Sequence, residues 1–165
     1  MVISENQAQL LEYLKQLSNL HKQIHRPGWR YHCYEALLLD VGRMMSPMER
    51  PEDLPQGRPK SCFYNAQSFI KLRSEFTYVE GIAVSAVTAI PIPHAWLRYG
   101  ECAVEVTWSQ PGVAYLGVPL HTEWLSSFIH ERQKRSKEDD LSVLQGNYIE
   151  DFSLLEQGFP LEALA

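Results

Sequence analysis

The chain has 165 residues, 45% of them hydrophobic and 21% charged. This composition suits one globular domain with its own core, and it excludes disordered, collagen-like and coiled-coil chains. The net charge of −5 argues against nucleic acid as a partner, because neutralising phosphates takes a basic surface. The basic run at residues 131–137 is offset at once by Glu138, Asp139 and Asp140. No stretch approaches the roughly 18 apolar residues of a membrane span. The N-terminus, MVISENQAQLLEYLK, has neither a basic start nor an apolar h-region, so a cytoplasmic protein without a membrane partner is expected.

Residues 4–25 read as a helix. Ser4 and Gln7 have capping-box spacing, and Ile3 could staple against the first turn. Leu10, Leu14, Leu17, Leu20 and Ile24 form an apolar stripe, and Pro27-Gly28 ends the helix. A second helix is expected over 32–45, carrying Tyr34, Leu37, Leu38, Val41 and Met45. Four prolines between Ser46 and Lys60 predict a long loop. A helix over 61–70 follows, with Ser61 as N-cap. Strands are expected over 78–89, 95–99, 102–108 and 113–118, with a type II′ turn at Gly100-Glu101. Helices over 121–133 and 148–157 close the chain. Helices, then antiparallel strands, then helices make an α+β pattern, read as a single domain: a helical part (1–45), a Pro-rich loop (46–60), a core (61–120) and C-terminal helices (121–165).

The three cysteines, Cys33, Cys62 and Cys102, form no CxxC pair, which excludes a zinc ribbon and points to reduced thiols. His21 and His25 stand one helical turn apart but lack a convincing third ligand beyond His32 or Cys33. They read as exposed helix histidines, and no metal or cofactor is expected. A site built from histidines with Cys62 or Cys33 is the weaker alternative.

Cys62 falls at the first position of a helix, where free N–H groups and the helix dipole favour thiolate and could stabilise an oxyanion. The plain alternative is a small buried apolar residue. A nucleophilic cysteine needs a base. With a two-residue turn at Gly100-Glu101, Tyr99 pairs with Cys102, Leu97 with Val104, Trp96 with Glu105 and His94 with Thr107. His94, Trp96, Glu105 and Thr107 then share one face, with the Glu105 carboxylate diagonal to the imidazole. If that face is open to water, Glu105 is an ordinary surface residue.

Five segments, Lys60-Ser61-Cys62-Phe63-Tyr64-Asn65-Ala66, Tyr78-Val79-Glu80-Gly81, His94-Ala95-Trp96, Val104-Glu105-Val106-Thr107-Trp108 and Tyr115-Leu116-Gly117-Val118, resemble transglutaminase-like proteins. These belong to the papain-like cysteine hydrolase superfamily, and short members occur in bacteria and phages. The resemblance covers about residues 56 to 124. It implies a papain-like core with the Cys-bearing helix packed on a small antiparallel sheet, and a Cys62–His94–Glu105 triad. The family's usual acid is Asp, so Glu105 is a departure. The implied activity is hydrolysis, deamidation or acyl transfer at an amide bond of a protein, peptide or small-molecule substrate. Calcium dependence does not carry over to so short a chain. The Cys62 backbone N–H would supply one oxyanion donor and Gln56 another, with Asn65 as the rival. Trp96, Trp108 and Tyr64 are candidates to line a substrate groove, although the two tryptophans suit a core as well. The rival to catalysis is a non-catalytic binding or inhibitor module on the same fold.

Overall fold

A computed structural model describes residues 3–24, 27–134, 140–144 and 152–165. Helix α1 (Glu5–His21) opens on the expected capping box, with Gln7 N–H donating to Ser4 Oγ at 3.3 Å and Ser4 N–H to Gln7 Oε1 at 2.9 Å. Its buried face runs through Gln7, Leu10, Leu14 and Ser18, while Leu20 is exposed. The polar members of that face are both used: the Gln7 side chain donates to the Met45 carbonyl, and Ser18 bonds His32. A 3-10 turn, Lys22–Ile24, follows; His25 lies outside the described residues.

The helix expected over 32–45 is shorter. Helix α2 spans Tyr34–Val41, and strand β1 (Arg43–Met48) follows directly. Gly42 makes the break. A Cβ there would stand 2.3 Å from the Leu38 carbonyl oxygen, so only glycine lets the chain turn this tightly off the helix. Met45 thereby enters a sheet, and residues 46–48, expected as loop, are strand. β1 pairs with one neighbour through 43–45 and with the other through 46–48. Pro47 therefore has a ladder on one side only, an edge-like setting that tolerates proline.

Helix α3 (Cys62–Ile70) precedes β2 (Thr77–Val84), β3 (Pro91–Tyr99), β4 (Cys102–Val104) and β5 (Ala114–Leu120). The β3–β4 turn has the expected register, Tyr99 with Cys102 and Leu97 with Val104. Gly100 has φ +57, as the first position of a type II′ turn requires. β2 stops at Val84 and β4 at Val104, both earlier than expected. Helix α4 (Thr122–Gln133) matches the sequence reading. Of the last helix, Ser153–Gln157 is described as α5, while residues 148–151, and most of the basic run after Lys134, fall outside the described residues.

The α+β class and the small sheet hold, but the sheet is not wholly antiparallel and it is closed. It closes as a barrel in the order β1-β4-β3-β2-β5, with β1 and β4 parallel and the other pairs antiparallel. The side chains of Met45, Val79, Ala83, Trp96, Ala103 and Tyr115 pack together as one cluster. A larger cluster joins the remaining strand positions to the helices. Gly81 and Gly117 face each other across β2 and β5. A Cβ on Gly117 would meet the Trp96 ring at 2.6 Å, so the absent side chain is the space the indole fills. No helix among the described residues is long and apolar enough to cross a membrane.

Candidate active site

β3 delivers His94 and the chain beyond β4 delivers Glu105. The ladder ends at Val104, so the expected Trp96–Glu105 and His94–Thr107 pairings do not form. Glu105 instead folds its carboxylate back over its own turn. Oε1 accepts the N–H of Thr107 at 2.7 Å and of Trp108 at 3.0 Å. Oε2 bonds His94 Nε2 at 2.9 Å and accepts the Tyr115 hydroxyl at 3.2 Å. His94 and Glu105 are 2% and 1% exposed, which removes the alternative of a solvent-open surface glutamate. Burial pushes the Glu105 carboxyl up, but the hydrogen bond and charge of His94, with the Trp108 and Thr107 N–H groups, outweigh it and hold the carboxyl below its usual range. The Trp108 ring stacks on the imidazole at 4.0 Å and 12°, and Arg50 anchors that turn through the Glu105 and Trp108 carbonyls. Trp108 thus shields the pair from water.

Cys62 opens α3. The Ala95 N–H, one residue past His94, lies beside its sulfur, so β3 carries both the imidazole and an amide that reaches the thiol. Among the described residues no hydrogen bond joins Cys62 to His94, whose bond is to Glu105. The thiol does not follow the helix-start expectation. Burial pushes it up to about 12; the Ala95 and Phe63 N–H groups pull it down, and the charges of Asp140 and Glu80 push it further up. Burial is the main cause of the reversal, and Asp140 adds to it. Its carboxylate accepts the Tyr64 N–H at 2.7 Å, so an acid from a distant segment caps the helix, whereas Ser61 makes no side-chain cap bond. The partial positive charge that would favour thiolate is already answered.

Asp140 belongs to residues 140–144, a strap across α3. Gln67 Nε2 donates to the Leu141 carbonyl at 2.7 Å, and Arg132 to the Ser142 and Val143 carbonyls. Glu80, on β2, receives the Ser142 hydroxyl and the Val143 and Leu144 N–H groups, together with the Tyr78 hydroxyl. Burial raises the Glu80 carboxyl and those donors pull it part of the way back. The sequence reading missed Glu80, Asp140 and Tyr115. The signal for Glu80 was a carboxylate in the apolar run Tyr78-Val79-Glu80-Gly81, since a buried charge must find partners.

The remaining candidates separate. Asn65 is buried and committed: Oδ1 accepts the Arg58 N–H, and Nδ2 donates to the Arg58 carbonyl and Thr107 Oγ1. It pins the loop before α3 to the turn after β4 and has no amide hydrogen left for an oxyanion. Gln56 is exposed and donates to the Thr107 carbonyl at 3.0 Å. Trp96 is fully buried, with its indole N–H on Met45 Sδ, so it fills the barrel and lines no groove. Trp108 and Tyr64 are half-buried; the Tyr64 ring lies under the Arg58 guanidinium at 4.2 Å. Cavities of about 580 and 670 Å³ are lined by other residues, around Ser46 to Glu49 and around His121 to Trp124. The arrangement fixes an imidazole against its carboxylate and brings the N–H of the next residue to a half-buried thiol that burial holds toward the neutral form.

No protein-family model, curated protein or solved structure matches this chain.

Proposed function

We propose that the protein is a cysteine-dependent hydrolase or acyltransferase acting on an amide bond, with Cys62 as nucleophile, His94 as base and Glu105 as orienting acid. The observation that carries this reading is the sealed His94–Glu105 pair, 2.9 Å apart, its imidazole borne by the strand that also flanks the Cys62 thiol. The residue types and their fixed imidazole match the logic of a nucleophile–base–acid set, and they agree with the resemblance to transglutaminase-like proteins. In the reaction, His94 Nδ1 takes the thiol proton as the sulfur attacks the carbonyl carbon. The C–N bond breaks, and the amine leaves with that proton, giving a thioester. Water or a second amine then attacks the thioester, passes a proton to His94, and the C–S bond breaks with the proton returned to sulfur. Glu105, bonded at Nε2, keeps Nδ1 the free nitrogen throughout. The Ala95 and Phe63 N–H groups, which reach the Cys62 sulfur, are the backbone donors available beside the developing oxyanion, with the Cys62 N–H the one implied by the resemblance.

A second reading, a non-catalytic binding module, draws on a specific observation: the thiol is pushed up to about 12 and makes no bond to His94. Hydrogen bonds of this kind often tighten only with substrate bound, so the readings part on chemistry. Glutamine-bearing peptides, offered with and without a primary amine, should yield a hydroxylamine-sensitive adduct on Cys62, detected by mass spectrometry. The adduct should vanish in Cys62→Ala and fall at least a hundredfold in His94→Ala, with both variants folded. Peptide binding without any adduct, or an adduct indifferent to His94, would leave the binding module as the function.

A further inference from the structure

The N-terminal helices bring together three side chains that the proposed chemistry does not use. His21 ends α1, Cys33 caps α2 and Glu35 sits in the first turn of α2. One ligand atom from each lies within 4.8 Å of the other two, with His21 Nδ1 and Glu35 Oε2 at 3.1 Å. We propose that His21, Cys33 and Glu35 form a zinc-binding site that clamps α1 to α2.

The donor set is one imidazole nitrogen, one thiol sulfur and one carboxylate oxygen. This mixture suits a borderline ion such as Zn²⁺ and is unsuited to Mg²⁺ or Ca²⁺, which take oxygen. Tetrahedral zinc places such atoms about 3.3 to 3.5 Å apart. The His21–Glu35 separation is already close to that, and the sulfur needs to close by no more than about 1.3 to 1.5 Å, a side-chain rotation. Three protein ligands leave the fourth position to water. The surroundings support the ligands as metal sites require. Ala36 N–H reaches the Cys33 sulfur at 3.4 Å, and the Ser18 side chain also lies against it. His32, adjacent in sequence to Cys33, bonds the Ser18 carbonyl at 2.8 Å and its hydroxyl at 3.0 Å, so the two helices are already in register. Cys33 is buried, while the His21 side chain is 38% exposed; the site therefore has a solid floor and an open mouth. Sequence spacing points only to His21 with His25. The missing third ligand is Glu35, which the α1–α2 packing supplies and no spacing rule would find.

The test is titration of the reduced full chain with Co²⁺, followed by Zn²⁺ in competition with a chromogenic chelator. One equivalent of Co²⁺ should give a thiolate-to-metal charge-transfer band in the near ultraviolet with tetrahedral bands in the visible, and Zn²⁺ should bleach both. Cys33→Ser should abolish the charge-transfer band. Cys62→Ser and Cys102→Ser should leave it intact. Because Cys33 is buried, His21→Ala provides a second variant at a more exposed position, and it should weaken binding by more than about tenfold. The absence of a thiolate band in the wild-type chain would overturn the proposal. So would a band that survives Cys33→Ser or disappears with Cys62→Ser, and so would unchanged affinity in His21→Ala.

Discussion

Glu105→Gln is the most informative single change at the site. The carboxylate collects four donors: two backbone N–H groups on Oε1, and His94 and Tyr115 on Oε2. Glutamine keeps the shape and one carbonyl oxygen, so the Thr107 and Trp108 N–H groups retain an acceptor. The other end becomes an NH₂ facing His94 Nε2. Two donors cannot face each other in a dry site, so the imidazole must move its proton to Nδ1 and accept at Nε2. Four charge-assisted hydrogen bonds become neutral or lost, at about 1 kcal/mol each. Relief from burying a charge offsets part of this, leaving a net loss of about 2 kcal/mol. Glu105→Ala would instead strand the His94 and Tyr115 donors in the interior and cost about 3–5 kcal/mol, a large share of an ordinary domain's stability. The assay pairs urea unfolding with nitrogen-15 spectra of the histidine rings. The His94 proton should sit on Nε2 in the wild type and on Nδ1 in Glu105→Gln, and the variant should lose adduct formation because Nδ1 can no longer accept the Cys62 proton. An unchanged tautomer, or a variant as stable as the wild type, would refute the idea that Glu105 orients His94.

Acid should also report on this carboxylate. Its folded-state pKa is lowered, so it contributes stability above the unfolded carboxyl value of about 4.3 and loses it as pH falls through the lower folded value; urea midpoints taken below pH 4 should fall more steeply in the wild type than in Glu105→Gln. Iodoacetamide should alkylate Cys62 slowly at pH 8, and Asp140→Asn, which can keep the Tyr64 cap bond while removing the charge, should speed alkylation measurably in a mass-spectrometric time course; an identical rate would show that Asp140 does not hold the thiol neutral. Asn65→Ala strips partners from Arg58 and Thr107 and should cost about 2–4 kcal/mol, read as a lowered melting temperature. Gly117→Ala drives a Cβ into the Trp96 ring and toward the Glu80 carbonyl oxygen; a loss of about 1–3 kcal/mol or more is expected, with an altered near-ultraviolet tryptophan signal.

Local signals predicted local features well. The Ser4–Gln7 box, the helix opening at Cys62 and the Tyr99–Cys102 register depend on residues a few positions apart, and each is present. Register alone also placed Glu105 within reach of His94, although the bond forms through a folded-back turn and not through a continued ladder. What escaped depends on distant contacts. Periodicity carried α2 through Met45, because nothing in the spacing shows that Gly42 must approach the Leu38 carbonyl. Dipole reasoning favoured a Cys62 thiolate, because the sequence shows neither that the fold buries the sulfur nor that Asp140 returns to cap the same helix. Asn65 looked free for an oxyanion for a similar reason: its three partners come from a loop and a turn on either side of it.

Closure of the barrel has a kinetic consequence. β1 contributes two ladders, Ser46 with Cys102 and Met45 with Tyr115, and each joins segments far apart in the chain. Such pairings require a large loop to close before any contact stabilises it, which slows folding and makes it all-or-none. β4 is three residues long and is held on one side by the β3 hairpin and on the other by β1. The turn that carries Glu105 begins where β4 ends. A chain still searching for β1 would have the hairpin and His94 in place, but neither the β1–β4 ladder nor the Arg50 bonds that anchor the Glu105 turn. In refolding from urea, barrel fluorescence and assembly of the His94–Glu105 pair should therefore appear in the same late phase.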